Sequence, residues 1–364
     1  MACSILQTCV PAYRLPVFDA LARDIQGDFR VVAGDRFFDP SLRTVAQERP
    51  WFQACDNIFL AGNRLLWQSG AAMRNLVNGP LVVEANPRCL RTWILLSEAR
   101  RRRVPSAVWG HALGRQVAPN KMAALRRRMF AMAGTIICYC YAEQGPLQTR
   151  FPNKRILVAG NSTVRIAECS PLEAPVAGRN SVLFLGRLVE AKKPMLLLEA
   201  VHLAQRSESQ IGTVIIGDGP ELDKCQRFVA THRVKNVLFA GAQFDRGKLR
   251  ELAASCFAMA SPGYVGLSVL DALSCGLPVA YSPAEPNAPE VEVLQDGGNA
   301  LAFVGDSAES LAGCLLRLYA DRVNWLSRGE RYVAEVRENY SIERMAKQFV
   351  QFFRSDSLEV SKPC

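Results

Sequence analysis

Short apolar runs alternate with amphipathic segments along the first half of the chain. The runs have the length and composition of buried strands: SILQTCV, FRVVAG, GPLVVEAN, PSAVWGH, TIICYCYA and RILVAGN. Between them, LPVFDALARDI, TWILLSEARRRRV and KMAALRRRMFAMAG carry apolar residues at helical spacing. Strands separated by helices predict a parallel sheet, and therefore an α/β fold.

The same alternation restarts after a break in the pattern. SPLEAPVAGRN (170–180) is rich in proline, glycine and alanine and has no periodicity, so we expect a linker there. SVLFLGR, GTVIIGDG, NVLFAGA and CFAMASP then follow as strands with helices between them. The pattern predicts a first domain over 1–170, a second over 180–335 and a closing helix over 336–354, with a helix break at Tyr340 and Ser341.

Length and composition narrow the class of protein. The 364 residues suffice for two cores, and no apolar stretch has the length of a membrane span. The N-terminus lacks the pattern of a signal peptide, so we expect a cytoplasmic protein. Its 12 cysteines include no CxxC pair, which indicates buried, reduced thiols and no metal site.

The net charge of +10 is unevenly distributed. Residues 1–165 hold 23 basic and 10 acidic residues, whereas 166–364 hold 21 and 24. The basic excess concentrates in ARRRRV (99–104), LRRRM (125–129) and PNKR (152–155). Such asymmetry indicates that the first domain meets an anionic surface or ligand. The alternative is a solvated basic helix face.

Three glycine-containing loops in the second half follow predicted strands. In VLFLGRLVEAKKP, Gly186 permits a sharp turn and Arg187 stands where the strand ends. Lys192 lies near the start of the next helix, and two cations beside free helix amides suit a diphosphate. The alternative is that Arg187 and Lys192 are two surface cations in a loop between a strand and a helix. In TVIIGDGPEL the GxG does not continue into a dinucleotide fingerprint, so we expect Gly217 only to line a cleft.

The third loop, SPGYVGLSVLDALSCGLPVA (261–280), runs into a short helix. Gly263 and Gly266 allow a backbone to approach a ligand closely, and the helix amides suit phosphate. Val269, Leu270 and Leu273 form the packing face, with Leu267 at its start. Asp271 lies off that face. It either binds a ligand or is a solvated acid on the helix surface.

Together these blocks resemble the second domain of family 4 retaining glycosyltransferases (glycosyl transferases group 1). The matching blocks run in order over 181–306: FLGRLVEAKKP, IIGDGPEL, FAGAQ, ASPGYVGLSVLDALSCGLPVA and APEVEVLQDGGNALAF. The first half is similar through PAYRLPVFDAL, VWGHALGR and LVAGNSTV, and YSIERMAKQFVQFF resembles the helix that crosses back to the first domain. The resemblance implies the glycosyltransferase-B fold: two Rossmann-like domains facing a cleft, with the nucleotide sugar mainly on the second.

The resemblance also implies roles for single residues. Arg187 and Lys192 match the cations on the donor diphosphate, and Asp271 matches the second acid of a paired motif, which holds the ribose. The first acid, which contacts the donor sugar, is replaced by Gly263. His111 matches a histidine near the reacting centre; its alternative is a partly buried structural histidine. We therefore predict catalytic roles for Arg187, Lys192 and His111, and substrate-binding roles for Gly217, Gly263, Tyr264, Gly266, Leu267, Asp271, Glu290 and Arg14, the last on the acceptor side.

These inferences predict a retaining glycosyltransferase that uses a nucleoside-diphosphate sugar and no other cofactor. No two aspartates stand two residues apart, so we expect protein cations rather than an Asp-x-Asp-bound metal to stabilise the leaving diphosphate. We expect a glycan or lipid-linked acceptor of envelope polysaccharide or glycolipid synthesis, with the basic domain on the inner, anionic membrane face. The alternatives are a sugar-nucleotide epimerase on the same fold and a non-catalytic nucleotide-sugar-binding or scaffold protein. Nucleic-acid binding would explain the basic half but not the Arg187 and Lys192 loop.

Overall fold

The computed structural model describes residues 2–25, 27–40, 42–111 and 121–359. Within this part of the chain there are two compact units. The first contains residues up to Thr163 and those from Ile342 onward, and the second contains Val164–Ser341.

The first unit is built on a seven-stranded sheet with the order β3-β2-β1-β6-β7-β8-β9, in which every pairing is parallel. Its strands, with a separate hairpin, are β1 (Cys3–Gln7), β2 (Phe29–Ala33), β3 (Phe52–Ala54), β4 (Asp56–Leu60), β5 (Leu65–Ser69), β6 (Leu81–Glu84), β7 (Ser106–Trp109), β8 (Thr135–Cys138) and β9 (Arg155–Val158). Its first four helices are α1 (Leu15–Asp24), α2 (Leu90–Arg102), α3 (Lys121–Met132) and α4 (Gln144–Arg150). The prediction of a parallel α/β fold is confirmed.

The antiparallel hairpin of β4 and β5 was not predicted from the sequence. The strands alternate partly buried and more exposed positions, and the turn between them places Ala61, Gly62 and Asn63 at positive φ. Such a half-exposed strand pair lacks the continuous apolar runs that mark the central strands.

The second unit contains a six-stranded, entirely parallel sheet with the order β12-β11-β10-β13-β14-β15. Its strands are β10 (Ser181–Leu185), β11 (Gly212–Ile216), β12 (Val237–Phe239), β13 (Cys256–Ser261), β14 (Val279–Tyr281) and β15 (Ala300–Ala302). The helices are α5 (Pro194–Ala204), α6 (Leu222–His232), α7 (Arg246–Ala253), α8 (Ser268–Ser274), α9 (Ala308–Ala320), α10 (Arg322–Ser327) and α11 (Gly329–Asn339).

The closing helix, α12 (Ile342–Glu359), belongs to the first unit. Met345, Phe349 and Phe352 are buried in the same core as Phe18 of α1, and the Phe349 ring lies 4.8 Å from that of Trp109. The predicted break at Tyr340 and Ser341 separates α11 from α12. The helix therefore begins at Ile342 rather than at 336, because 336–339 complete α11.

The division between the units falls at 163/164, before the linker predicted at 170–180. That segment is attached to the second unit: the amides of Ser170 and Leu172 donate to the carbonyls of Ser274 and Cys275. Arg179, buried, donates to the carbonyls of Leu172 and Ala174. These hydrogen bonds explain why a segment without periodicity is nonetheless packed.

Candidate active site

Four loops of the second unit follow the carboxyl ends of β10, β11, β13 and β14. Because the strands are parallel and adjacent, these loops lie along one edge of the sheet, where doubly wound folds bind ligands. Eight of the predicted residues lie on them: Arg187, Lys192, Gly217, Gly263, Tyr264, Gly266, Leu267 and Glu290.

The loops after β10 and β11 touch through their backbones. Gly217 has φ +152, and a Cβ there would overlap the carbonyl oxygen of Gly186 and lie 2.9 Å from its carbonyl carbon. Only glycine fits this position, so Gly217 allows the backbones of the two loops to approach each other closely.

The loop after β13 is equally close to the turn that carries Lys192. The amide of Tyr264 donates to the carbonyl of Ala191 at 2.8 Å. A Cβ at Gly263 would overlap that carbonyl oxygen and lie 2.9 Å from the carbonyl carbon of Lys192. Gly263, which we predicted to stand in place of the first acid of the paired motif, therefore lies where this backbone has no room for any side chain.

Lys192 is the partly buried cation of the site. Its amine donates to the carbonyl of Tyr264 at 2.7 Å and lies 4.9 Å from the centre of the Tyr264 ring. Burial lowers the pKa of Lys192 to about 8, against the opposing charge of Glu290 and with a further lowering from Arg187. Gly266 leaves space for this amine, since a Cβ there would lie 3.2 Å from Nζ. Arg187 itself is exposed at the same edge.

Glu290 lies in the turn Pro289–Val293 and is 7% exposed. Its charge reaches Lys192, so it belongs to the same electrostatic cluster. The loop after β14 is joined to the loop after β13 by two hydrogen bonds. The Val265 amide donates to Asn287 Oδ1 at 2.8 Å, and the Ala288 amide donates to the Val265 carbonyl at 3.0 Å.

Lys193 was not singled out in the sequence, although it secures the same turn. It adopts φ +50, and its amine reaches Glu285 at 2.5 Å and Asp306 at 2.6 Å. It therefore fixes the backbone from which Lys192 projects.

Asp271 lies on α8, off the buried face formed by Val269, Leu270 and Leu273, as its spacing indicated. It accepts a hydrogen bond from Arg246, which also lies 3.7 Å from Glu168. Burial alone would lower the pKa of Arg246, but Asp271 and Glu168 outweigh burial and raise it. Asp271 is thus an ion-paired acid rather than a solvated one. Arg246 was missed because its position at the start of α7 gives no local signal.

The first unit has its own pocket, of about 220 Å³, at the carboxyl edge of its sheet. Arg14 and His111 both line it, together with Glu84 and Tyr139. Arg14 is buried, donates to the Tyr139 hydroxyl at 2.9 Å and lies 4.5 Å from the centre of the Trp109 ring. The exposed His111 ring packs against the Tyr139 ring at 4.7 Å. The two residues predicted in this unit therefore share one pocket. Residues 112–115, which complete the VWGHALGR block, lie outside the described residues.

Three further features of the described residues concern metal ions, cysteines and membrane-spanning helices. Ranges 2–25, 27–40, 42–111 and 121–359 contain no group of three or more His, Cys, Asp or Glu arranged to hold a metal ion. The cysteines in these ranges are buried, apart from half-buried Cys3, and form no disulfide. No helix in these ranges combines the length and apolar content needed to cross a bilayer.

Comparison with known proteins identifies the second unit. The family described as glycosyl transferases group 1 matches residues 173–338, which lie inside that unit. The second unit is a group 1 glycosyltransferase domain. An uncharacterized glycosyltransferase of Methanocaldococcus jannaschii is 22% identical over 192 residues, which are 52% of this chain and 48% of that protein. The chain thus matches about half the length of this curated relative.

Solved structures extend the likeness from the group 1 domain to the whole chain. The structure of HepE from Anabaena in complex with UDP has a TM-score of 0.72 at 16% identity, over 98% of this chain and 100% of that one. The pneumococcal O-GlcNAc transferase GtfA, in complex with UDP and GlcNAc, has a TM-score of 0.68 at 11% identity, over 100% of this chain and 99% of that one. The lipopolysaccharide outer core galactosyltransferase WaaB has a TM-score of 0.65 at 14% identity, over 99% of this chain and 100% of that one. These likenesses confirm the glycosyltransferase-B fold.

Proposed function

We propose that this chain is a retaining, metal-independent glycosyltransferase that moves a sugar from a nucleoside-diphosphate sugar to a glycan or lipid-linked acceptor of envelope polysaccharide or glycolipid synthesis. The observation that carries the proposal is the pair of cations, Arg187 and Lys192, at the carboxyl edge of the group 1 domain. Both stand beside loops whose glycines bring backbone close to that edge.

The two cations suit a departing diphosphate. The Lys192 ammonium has three donors, one of which goes to the Tyr264 carbonyl, and Arg187 presents an exposed guanidinium. Negative charge grows on the diphosphate as the sugar leaves, so preorganised cations stabilise the transition state more than the bound donor. Burial lowers the pKa of Lys192, and the charge of Glu290 opposes this lowering by favouring the protonated amine.

Asp271 is the proposed ligand of the nucleotide ribose. A carboxylate accepts hydrogen bonds from hydroxyl groups, and the ion pair with Arg246 orients the carboxylate of Asp271. In the first unit, His111, Arg14 and Glu84 line a pocket that suits a hydroxyl-rich acceptor, with His111 nearest to solvent.

The finer parts of the proposal rest on separate supports. The protein cations, together with the missing Asp-x-Asp pair, support transfer without a metal. Retention, with the acceptor attacking on the face that the leaving group vacates, rests on the resemblance to family 4. WaaB, named for the lipopolysaccharide outer core, and the basic first unit support a lipid-linked acceptor at the cytoplasmic, anionic membrane face.

A thermal-shift screen against UDP-, GDP-, ADP- and dTDP-sugars tests the donor class. A ligand at 100 times its Kd stabilises the folded state by about 2.7 kcal/mol, which raises the melting temperature measurably. UDP-sugars come first, since the HepE and GtfA structures contain UDP. The shift should disappear in an Arg187→Gln/Lys192→Gln variant, and no shift with any of the four classes contradicts donor binding.

Turnover distinguishes the proposal from its alternatives. The stabilising donor is incubated with lipid-linked and soluble glycan acceptors, with EDTA or Mg²⁺, and the product anomer is read by NMR. A retained anomer formed in EDTA supports the proposal, and an inverted anomer or an absolute need for Mg²⁺ contradicts it. Conversion of the donor sugar without an acceptor identifies an epimerase. Tight binding without turnover on any acceptor identifies a non-catalytic protein, in keeping with the loss of the first acid at Gly263.

A further inference from the structure

A second concave site lies in the first unit, at the edge of the sheet opposite the Arg14 and His111 pocket. It is a cleft of about 730 Å³, within the size range of small-molecule sites. The residues that begin β7, β8 and β9 line it, together with the end of α2. Because parallel strands have all their amino ends at one edge, this cleft cannot be part of the pocket at the carboxyl ends.

The cleft concentrates uncompensated positive charge. Arg100, Arg103, Lys154 and Arg155 line it, and none of the described lining residues is acidic. No ion pair joins Arg100, Arg103 or Arg155 to a described residue, whereas the neighbouring Arg102 pairs with Glu98 at 2.6 Å. In a concave site, like charges without counter-ions raise the local concentration of anions.

Two of the four cations lie close enough for their charges to interact. The Lys154 amine is half-buried and held in place by donating to the Ala133 carbonyl. Burial lowers the pKa of Lys154, and the charge of Arg100 lowers it further. The charges of Arg100, at the end of α2, and Lys154, before β9, therefore repel each other within the cleft. A bound anion would relieve their repulsion.

Phosphate is the anion that this set of donors suits. Guanidinium groups bind phosphate oxygens through two parallel hydrogen bonds, and Ser106, Thr135 and Asn153 supply further polar groups in the same cleft. We propose that this cleft binds a phosphate-bearing ligand, carried on a soluble molecule or on a lipid headgroup. The site is separate from the group 1 domain and does not depend on the proposed transfer reaction.

The test compares two double variants with the same change in charge. Arg100→Gln/Arg103→Gln removes two exposed cations of the cleft, and Arg101→Gln/Arg128→Gln removes two exposed arginines outside it. All proteins carry Arg187→Gln and Lys192→Gln, which removes the two cations proposed to bind the donor diphosphate in the group 1 domain. Binding of inorganic pyrophosphate is measured by calorimetry. Binding to phosphatidylcholine vesicles, with and without phosphatidic acid, is measured by sedimentation.

The cleft variant should bind pyrophosphate about 10- to 100-fold more weakly, because each lost hydrogen bond joins a guanidinium to a charged phosphate. The outside variant should bind pyrophosphate like the parent. If vesicle binding falls in parallel, the phosphate is a lipid headgroup; if only pyrophosphate binding falls, it is a soluble ligand. Equal weakening of both double variants would show diffuse charge and overturn the proposal. So would a parent that binds neither probe. Unchanged melting temperatures show that both variants fold.

Discussion

The substitution Gly263→Ala tests how the loop after β13 is fitted to the turn that carries Lys192. The residue has no positive φ, so an alanine causes no backbone strain of its own. The new Cβ would instead overlap the Ala191 carbonyl oxygen and lie 2.9 Å from the Lys192 carbonyl carbon. Both obstacles are backbone atoms and cannot rotate away, so one of the two segments must move.

The cost follows from two contributions. Overpacking of a close contact costs about 1–3 kcal/mol. Separating the segments also breaks the hydrogen bond from the Tyr264 amide to Ala191, for about 0.5–1.5 kcal/mol. We expect the second unit to lose about 2–4 kcal/mol of unfolding free energy. Nucleotide affinity should fall as well, because Lys192 is displaced.

Gly313→Ala is the matched control, since this glycine lies in α9 of the same unit and its Cβ would meet no atom within 4 Å. Alanine in a helix should stabilise by about 0.5–1 kcal/mol. Urea denaturation is monitored by hydrogen-exchange mass spectrometry, which reports the unfolding of each unit separately. A Gly263→Ala protein as stable as the parent would refute the steric argument. Gly263→Glu, which restores the family's acid, should be destabilised at least as much and should not gain activity.

Three further predictions concern the polar groups. Arg187→Gln and Lys192→Gln should each lower kcat by on the order of 10²–10³, because these groups stabilise the transition state; steady-state kinetics showing only a higher donor KM would contradict this. Burial lowers the pKa of Lys192 to about 8, so the amine loses its charge as pH rises through that value and nucleotide affinity should fall between about pH 7 and pH 9. Calorimetry should find that this fall is missing in Lys192→Gln; the same profile in both proteins would assign it to another group. Asp271→Ala should weaken nucleotide binding by about 10- to 150-fold, and Arg246→Gln should add little to it in a double variant, because both belong to one ion pair. Fully additive losses would show that Arg246 does not act through Asp271.

The sequence by itself determined the architecture and the loops of the candidate site. Continuous apolar strands and amphipathic helices are local patterns, and a parallel sheet necessarily brings the loops after its strands to one edge. Arg187, Lys192 and Gly263 could therefore be predicted to lie together from their positions after β10 and β13. The half-exposed hairpin of β4 and β5 has no such local pattern and was missed.

Only the tertiary structure decided which side chains meet. Asp271 could be placed off the packing face of α8, but its partner Arg246 comes from another helix. The sequence did not place Glu290 relative to the other candidate residues. In the structure the loop after β14 brings Glu290 close enough for its charge to act on Lys192. Likewise, ARRRRV and PNKR are two separate basic runs in the sequence, and Arg100, Arg103, Lys154 and Arg155 form one cleft because β7, β8 and β9 are neighbours in the sheet. Local patterns determine each element, whereas the distance between charges on different elements depends on how those elements pack.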